Sequence, residues 1–170
     1  GASFERVVQI GCGGAGAATA YALLSCGTSR LDLYDVEVPR AEDLAERMRV
    51  HFPTQAVATV PTEDLPAAIA RATGVVHATP LGMLHHQGVA FDVGFLRRGS
   101  WVSDVVYRPL ETELIRRAAE QGHPVLDGGR MVVGQAYASL HIITGEQPDR
   151  NRMERHFRTL VDAEERAGRV

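Results

Sequence analysis

The stretch GCGGAG, residues 11–16, follows the apolar segment VVQI, residues 7–10, and leads into the helix-like AATAYALL. A strand, a glycine-rich turn and a helix are therefore expected in that order, which is the context that gives the G-x-G-x-x-G spacing its meaning. Gly11 permits the tight turn, Gly13 lets a pyrophosphate approach the backbone, and Gly16 lets the helix pack closely on the strand. The pattern predicts a phosphate-binding loop at a helix N-terminus.

An acidic residue lies where a dinucleotide would need one. The apolar run LDLY, residues 31–34, ends in Asp35, which lies 19 residues after Gly16. A carboxylate at the end of the second strand can accept hydrogen bonds from the adenosine ribose. Arg40 is a candidate for binding a 2′-phosphate, but Asp35 in front of it favours a salt bridge at the helix start. The two signals predict NAD as the cofactor, with NADP less favoured; a glycine-rich turn beside a solvated Asp is the alternative.

The composition is that of an ordinary globular protein. The 170 residues are 45% hydrophobic and 23% charged, with a net charge of −3 and a pI of about 6.2. This balance gives no electrostatic reason to expect nucleic acid or an anionic membrane as a partner. The apolar runs are too short for a membrane span, no signal peptide is evident, and two cysteines make no disulfide framework. We expect a cytoplasmic protein.

All 18 basic residues are arginine, and the chain contains no lysine. A step that needs a lysine as general base or as a Schiff base therefore cannot be completed by this chain alone.

Strand-like and helix-like segments alternate along the chain, which predicts an α/β fold. We expect a doubly wound, mostly parallel, six-stranded Rossmann-type sheet with helices on both faces. Residues 1–145 would form the dinucleotide-binding domain, and residues 146–170 a C-terminal helix. The predicted strands are Arg6–Ile10, Leu31–Tyr34, Ala56–Val60, Gly74–His77, Ser100–Asp104 and Pro124–Leu126. The predicted helices are Gly14–Cys26, Arg40–His51, Thr62–Arg71 with Thr62 as N-cap, Glu111–Gln121 ending at Gly122, Arg130–Thr144 ending at Gly145, and Asp149–Arg166.

Three further segments follow predicted strands. They are HATPLGM at residues 77–83, DVVYRPLET at 104–112, and DGGRM at 127–131, which leads to Gln135. All three would lie at the carboxyl ends of strands, and this edge of an open α/β sheet is where ligands bind.

These segments resemble the shikimate/quinate dehydrogenase family, specifically its C-terminal nucleotide-binding domain. Residues 78–83 match A-T-P-x-G-M, residues 104–112 match D-x-x-Y-x-P-x-x-T, and residues 127–135 match D-G-x-x-M-x-x-x-Q. The resemblance covers nearly the whole chain. It implies an oxidoreductase of the shikimate pathway of aromatic amino acid biosynthesis, which oxidises a ring hydroxyl of a cyclic polyol acid, shikimate or quinate, to a ketone and passes hydride to the nicotinamide.

The resemblance also implies roles for individual residues. In the glycine loop, the residues assigned to the cofactor are Gly11, Gly13, Gly14, Ala15 and Gly16, of which Gly13, Gly14 and Ala15 would hold the pyrophosphate. Asp35 would bind the adenosine ribose. The residues assigned to the nicotinamide side are Thr79, Pro80 and Met83, with Val105 and Gly128 near the nicotinamide ring. Those assigned to the substrate are Tyr107 and Gln135.

The sequence departs from the family at several points. His77 and Arg108 each stand where the family commonly has Asn, which puts loop hydrogen bonding or substrate choice in doubt. The family's catalytic Lys and its partner Asp belong to an N-terminal substrate domain, so we expect no catalytic residue in this chain. The missing N-terminal domain is then a partner, on which the helix at residues 146–170 could pack instead of on the nucleotide domain.

Other interpretations remain open. A non-catalytic NAD-binding or regulatory module, or another Rossmann oxidoreductase, would share the glycine signal. Cys12 could be a redox thiol, although a small side chain that fills the loop is favoured. His85 and His86 could bind a metal, although a loop pair is favoured because adjacent side chains rarely share one site. Tyr107 could simply pack at a strand end, and Gln135 could be an ordinary helix amide.

Overall fold

The computed structural model describes residues 2–167. In this part of the chain, six parallel strands form one sheet in the order β3-β2-β1-β4-β5-β6. The strands are β1 (Arg6–Ile10), β2 (Arg30–Tyr34), β3 (Ala56–Thr59), β4 (Gly74–His77), β5 (Trp101–Asp104) and β6 (Val125–Leu126). This is the strand order of a Rossmann fold, and the six-stranded doubly wound sheet that the sequence predicts is confirmed.

The strand order reverses between β1 and β4. Val8 of β1 pairs with Asp32 of β2 on one side and with Val75 of β4 on the other. The loops that leave β1 and β4 therefore diverge from a crevice at the carboxyl edge. In open α/β sheets this reversal is where a ligand binds.

Helices cover both faces of the sheet. They are α1 (Gly14–Ser25), α2 (Val38–His51), α3 (Leu65–Arg71), α4 (Glu113–Glu120), α5 (Gly129–Thr144) and α6 (Arg150–Ala167). One core packs α1 and α2 on side chains such as Leu31 and Val76. The other packs α3 and α4 on side chains such as Val75 and Val102. Strands buried on both faces explain the continuous apolar runs in the sequence.

Two details of the local structure test the predicted starts and ends of helices. Gly145 ends α5 with a φ of 72°, and its N–H donates to the carbonyl of His141 at 2.8 Å, as the helix-stop prediction requires. The prediction that Thr62 is an N-cap is wrong. Residues Thr62–Asp64 form a 3-10 turn before α3, and the Thr62 hydroxyl lies 3.4 Å from that of Tyr34 instead.

The last two helices form a hairpin. Helix α6 packs against α5, with Val161 buried and Arg130 paired to Glu154 at 3.8 Å. The last turn of α5 exposes apolar side chains to solvent, with Ile142 at 80% and Ile143 at 81% exposure. Among the helices that the structure describes, none combines the length and apolar character needed to cross a membrane.

Candidate dinucleotide-binding site

The glycine loop, residues 11–16, is built on close backbone contacts. Gly11 has a φ of +101°, and its N–H donates to the carbonyl of Tyr34 at 2.8 Å. A Cβ at Gly11 would lie 2.5 Å from the carbonyl oxygen of Ala78, and one at Gly16 would lie 2.2 Å from that of Gly11. Both glycines are therefore required by packing within the protein.

Gly13 and Gly14 are different. A Cβ built at either residue would meet no atom of the described chain within 4 Å. The protein itself therefore gives no steric reason for a glycine here. Open space above two consecutive glycines is the cradle that a close-lying pyrophosphate would occupy.

Helix α1 begins at this cradle without a side-chain cap. Its N-cap is Gly13, in extended conformation, which has no side chain to accept a hydrogen bond from the first turn. The first N–H groups of a helix have no partner within the helix, and they carry the positive end of its dipole. The first turn, which includes Ala15, can therefore donate to an anion.

Gln9 anchors the glycine loop from below, a contribution that the sequence analysis missed. Its fully buried amide donates to the carbonyls of Gly11 at 3.0 Å and Gly16 at 2.8 Å, and accepts from the Thr19 hydroxyl at 2.9 Å. The available signal was a polar residue inside the apolar run of a strand buried on both faces, where a polar group needs partners.

Asp35 follows β2 directly and is largely buried. Its carboxylate accepts the N–H of Cys12 at 2.8 Å and that of Glu37 at 3.0 Å. Arg40 lies 3.7 Å from the same carboxylate, so the expected salt bridge at the start of α2 is present. These contacts hold a negative charge beside the glycine loop, and each carboxylate oxygen can accept more than one hydrogen bond.

Cys12 is not placed as a reactive thiol. Burial, followed by the negative charge of Asp35, raises its pKa to about 12, and Arg40 opposes this only in part. Only the thiolate is a good nucleophile. The geometry thus favours the interpretation of Cys12 as a small side chain that fills the loop.

The second loop, residues 79–83, leaves β4 on the opposite side of the crevice. We call it the Thr79 loop. Its first residue, Thr79, is half-buried, Pro80 is exposed, and Met83 is 39% exposed. The side chain of Thr79 contacts the buried His77. The Thr79 hydroxyl thus turns toward the sheet, and the methyl group of Thr79 lies beside Gly11.

The loops after β5 and β6 complete the edge. Val105 is half-buried, and Gly128 packs on the backbone of the β5 loop. A Cβ on Gly128 would lie 2.4 Å from the carbonyl oxygen of Val105 and 2.5 Å from that of Val106. Gly128 therefore has a packing reason to be glycine, whatever it faces in a complex.

Tyr107 and Gln135 expose their side chains near this edge. Tyr107 is 38% exposed and Gln135, on α5, is also exposed. Next to Tyr107, Arg108 forms an ion pair with Glu164 of α6 at 3.3 Å. Arg108 therefore ties the β5 loop to the C-terminal hairpin.

His85 and His86 lie in a turn. The N–H of His86 donates to Met83 at 2.9 Å, and its carbonyl accepts from Gly82 at 2.6 Å. Among the residues that the structure describes, no three His, Cys, Asp or Glu side chains come together as metal ligands.

Strand order, glycine loop and Asp35 together define a Rossmann-type nucleotide-binding domain. The chain belongs to the shikimate/quinate dehydrogenase family and corresponds to the C-terminal half of its members, which confirms the resemblance seen in the sequence. No family model matches the chain.

The similar proteins include both cofactor types. The chain is 50% identical over 165 residues, 97% of its length, to "Shikimate dehydrogenase (NADP(+))" of Pseudarthrobacter chlorophenolicus. It is 43% identical over 159 residues, 94% of its length, to "Quinate/shikimate dehydrogenase (NAD(+))" of Corynebacterium glutamicum. In both cases it spans 56% of the relative.

Solved structures agree with this assignment. Quinate dehydrogenase from Corynebacterium glutamicum in complex with NAD matches with a TM-score of 0.89 and 43% identity over 93% of this chain and 56% of that one. Shikimate 5-dehydrogenase from Thermus thermophilus in complex with NADP(H) and shikimate matches with a TM-score of 0.75 and 29% identity, over 90% of this chain and 54% of that one.

Proposed function

We propose that the chain is the cofactor-binding domain of a quinate/shikimate-type dehydrogenase, which oxidises a ring hydroxyl of a cyclic polyol acid to a ketone with NAD. One observation carries the proposal: the glycine loop, Asp35 and the Thr79 loop meet at the carboxyl edge where the strand order reverses. The similarity to a quinate dehydrogenase crystallised with NAD supports it.

The residues present fit a dinucleotide. The open space above Gly13 and Gly14 leaves room for the pyrophosphate, to which the first turn of α1, with Ala15, would donate its N–H groups. Asp35 would accept the adenosine ribose hydroxyls. On the other side of the crevice, Thr79, Pro80, Met83, Val105 and Gly128 would orient the nicotinamide, which when bound supplies the hydride acceptor.

The chain would perform only part of the reaction. It has no lysine to serve as general base. Tyr107 and Gln135 are exposed polar groups that we assign to the substrate, a shikimate- or quinate-like acid. The base would then come from an N-terminal substrate domain. Exposed apolar side chains, such as Ile142, Ile143 and Leu126, favour a further domain as partner because such surface is costly in water.

The same site supports a preference for NAD over NADP. A 2′-phosphate would meet the carboxylate of Asp35, and like charges about 4 Å apart repel by roughly 1 kcal/mol in water and about 4 kcal/mol at an effective dielectric near 20. This is on the order of a fivefold to several-hundredfold difference in affinity. Arg40 lies 3.7 Å from the same carboxylate and opposes part of this repulsion.

Calorimetric titration of the 170-residue chain with each cofactor tests the proposal. We expect NAD to bind more tightly than NADP, and the preference to shrink in Asp35→Ala. Arg40→Ala is the matched variant: a selective loss of NADP affinity there, or equal binding of both cofactors by the wild type, would mean that Arg40 and not Asp35 sets the choice.

A steady-state assay tests whether this chain can catalyse the reaction without a substrate domain. The chain alone, with NAD and either quinate or shikimate, should show no turnover. Clear turnover would show that the chain holds its own catalytic base, and absence of binding to either cofactor would remove the proposed function altogether.

A further inference from the structure

Beneath the Thr79 loop lies a buried line of polar side chains that the proposed binding roles leave unused. His77 and Asp104, at the ends of the neighbouring strands β4 and β5, are each only 1% exposed. Nδ1 of His77 lies 3.0 Å from Oδ1 of Asp104, and its Nε2 lies 2.5 Å from the hydroxyl oxygen of Thr79. Both ring nitrogens therefore have partners, as a buried imidazole requires.

The Asp104 carboxylate is fixed by further donors. Its Oδ1 also accepts the N–H of Val106 at 3.0 Å, and its Oδ2 accepts the hydroxyl of Thr112 at 2.7 Å. Thr112 is itself fixed, since it caps α4 by accepting the N–H of Ile115 at 3.2 Å. Three donors, with His77 as the third, converge on one carboxylate, so both of its oxygens have hydrogen-bond partners.

This arrangement determines the tautomer of His77. Nδ1 faces an acceptor, so in the neutral imidazole it carries the proton and Nε2 is left to accept. The Thr79 hydroxyl then donates to Nε2, while its oxygen accepts the N–H of Leu81 at 3.2 Å. The start of the Thr79 loop is thereby connected through His77 to the end of β5.

We propose that His77 is a positioning residue for the cofactor: by holding the Thr79 hydroxyl, it fixes the Thr79 loop in the conformation that binds NAD. The inference rests on the proposed function for the role of the loop, but the anchoring itself is a property of the apo chain. Ordering a loop before binding raises affinity because less conformational freedom is lost on association.

One substitution of His77 can remove its contact to Thr79 and keep its contact to Asp104. In His77→Asn, the amide nitrogen stands at the same number of bonds from Cβ as Nδ1, so the contact to Asp104 can persist while the contact to Thr79 is lost. Thr79→Val removes the hydroxyl at similar shape, and Thr79→Ser keeps it. We expect His77→Asn to weaken NAD binding about three- to tenfold, which is the range of a single lost hydrogen bond.

The double variant distinguishes positioning from a merely structural role. If His77 acts through Thr79, His77→Asn adds no further loss of NAD affinity to Thr79→Val, and Thr79→Ser, which keeps the hydroxyl, recovers part of the affinity that Thr79→Val loses. The control is His123→Asn, at a buried histidine that contacts the Ser100 carbonyl at 2.9 Å, just before β5 begins. It should change stability without changing NAD affinity. Fully additive losses, or wild-type affinity in His77→Asn, would overturn the proposal.

Nitrogen-15 NMR of the wild type and the Thr79 variants gives a readout that needs neither cofactor nor a folded His77 variant. The His77 signals should show a proton on Nδ1 and an unprotonated Nε2 that shifts in Thr79→Val, and the Leu81 amide should exchange faster in Thr79→Val than in Thr79→Ser. A proton on Nε2 of the neutral ring would exclude the anchoring. If the wild type fails to bind NAD while these signatures are present, the proposed function fails and the anchoring stands.

Discussion

The glycine loop and the Thr79 loop leave the same edge of the sheet, but they are held in different ways. The glycine loop is fixed by backbone contacts that leave no room for a Cβ at Gly11 or Gly16. The Thr79 loop is fixed by side chains, from Asp104 through His77 to the Thr79 hydroxyl. The close contacts at Gly11 and Gly16 are steric, and Gln9 and Asp35 add hydrogen bonds to them. The link from Asp104 to Thr79 consists of hydrogen bonds alone, which single substitutions can remove one at a time.

The largest effect should come from breaking the steric restraint. Gly16→Ala places a Cβ 2.2 Å from a backbone oxygen, so the helix must move away from the loop. We expect a loss of about 3 kcal/mol in unfolding free energy, at the upper end for overpacking and in spite of alanine's better helix propensity. Urea denaturation measures it.

The matched variant is Gly13→Ala, where the added Cβ enters open space. Its unfolding free energy should stay within about 0.5 kcal/mol of the wild type, as is usual for substitutions that clash with nothing. NAD affinity should nevertheless fall, because the methyl group occupies the proposed pyrophosphate cradle. A large loss of stability in Gly13→Ala, or unchanged NAD binding, would contradict the division of the glycines into two classes.

The contrast also explains how much the sequence could predict. The alternation of strands and helices and the glycine spacing are local patterns that the sequence displays directly, and Asp35 lies at the end of the next strand. The His77–Asp104 contact joins residues 27 positions apart on neighbouring strands. A histidine at the end of an apolar strand does not indicate which side chain it will meet, so only the register of β4 and β5 reveals the pair.

A smaller effect should follow from removing the polar support under the glycine loop. Gln9→Leu removes the amide that donates to the carbonyls of Gly11 and Gly16 in a buried site, although the Gly16 carbonyl keeps the Thr19 hydroxyl as a donor at 3.1 Å. We expect a loss of about 2 kcal/mol in unfolding free energy, together with weaker NAD binding. Calorimetry and urea denaturation on the same samples separate the two.

Gln55 offers the control for this experiment. Its amide donates to the carbonyls of Leu24 at 2.7 Å and Thr28 at 3.1 Å, and Gln55 lies just before the start of β3, at the opposite edge of the sheet from the glycine loop. Gln55→Leu should lower stability and leave NAD affinity unchanged. If both variants weaken NAD binding equally, Gln9 supports the fold in general and not the loop in particular.

The next prediction concerns side chains that belong to neither loop. In an enzyme that joins this chain to a substrate domain, Tyr107→Phe and Gln135→Ala should each lower kcat/KM for the polyol about tenfold, or roughly 1.4 kcal/mol. NAD affinity should hardly change, because both side chains are assigned to the substrate. A tenfold loss of NAD affinity with intact kcat/KM at saturating NAD would place these residues on the cofactor instead.

The smallest effect concerns the response of the glycine loop to pH. Burial beside Asp35 raises the pKa of Cys12 from 9.0 to about 12, so above pH 9 the unfolded chain releases a proton that the folded chain retains. Stability from this group is complete below pH 9 and is lost as the pH rises toward 12. By pH 9.5 the wild type should have lost about 0.8 kcal/mol relative to Cys12→Ala, taking 1.36 kcal/mol per pKa unit. Urea denaturation of both proteins at pH 7.5 and 9.5 measures the change, with Cys26→Ala, at the exposed cysteine, as control. A gap between wild type and Cys12→Ala that stays constant with pH would show that the thiol ionises freely in the folded loop, and that the glycine loop is less tightly closed than its backbone contacts require.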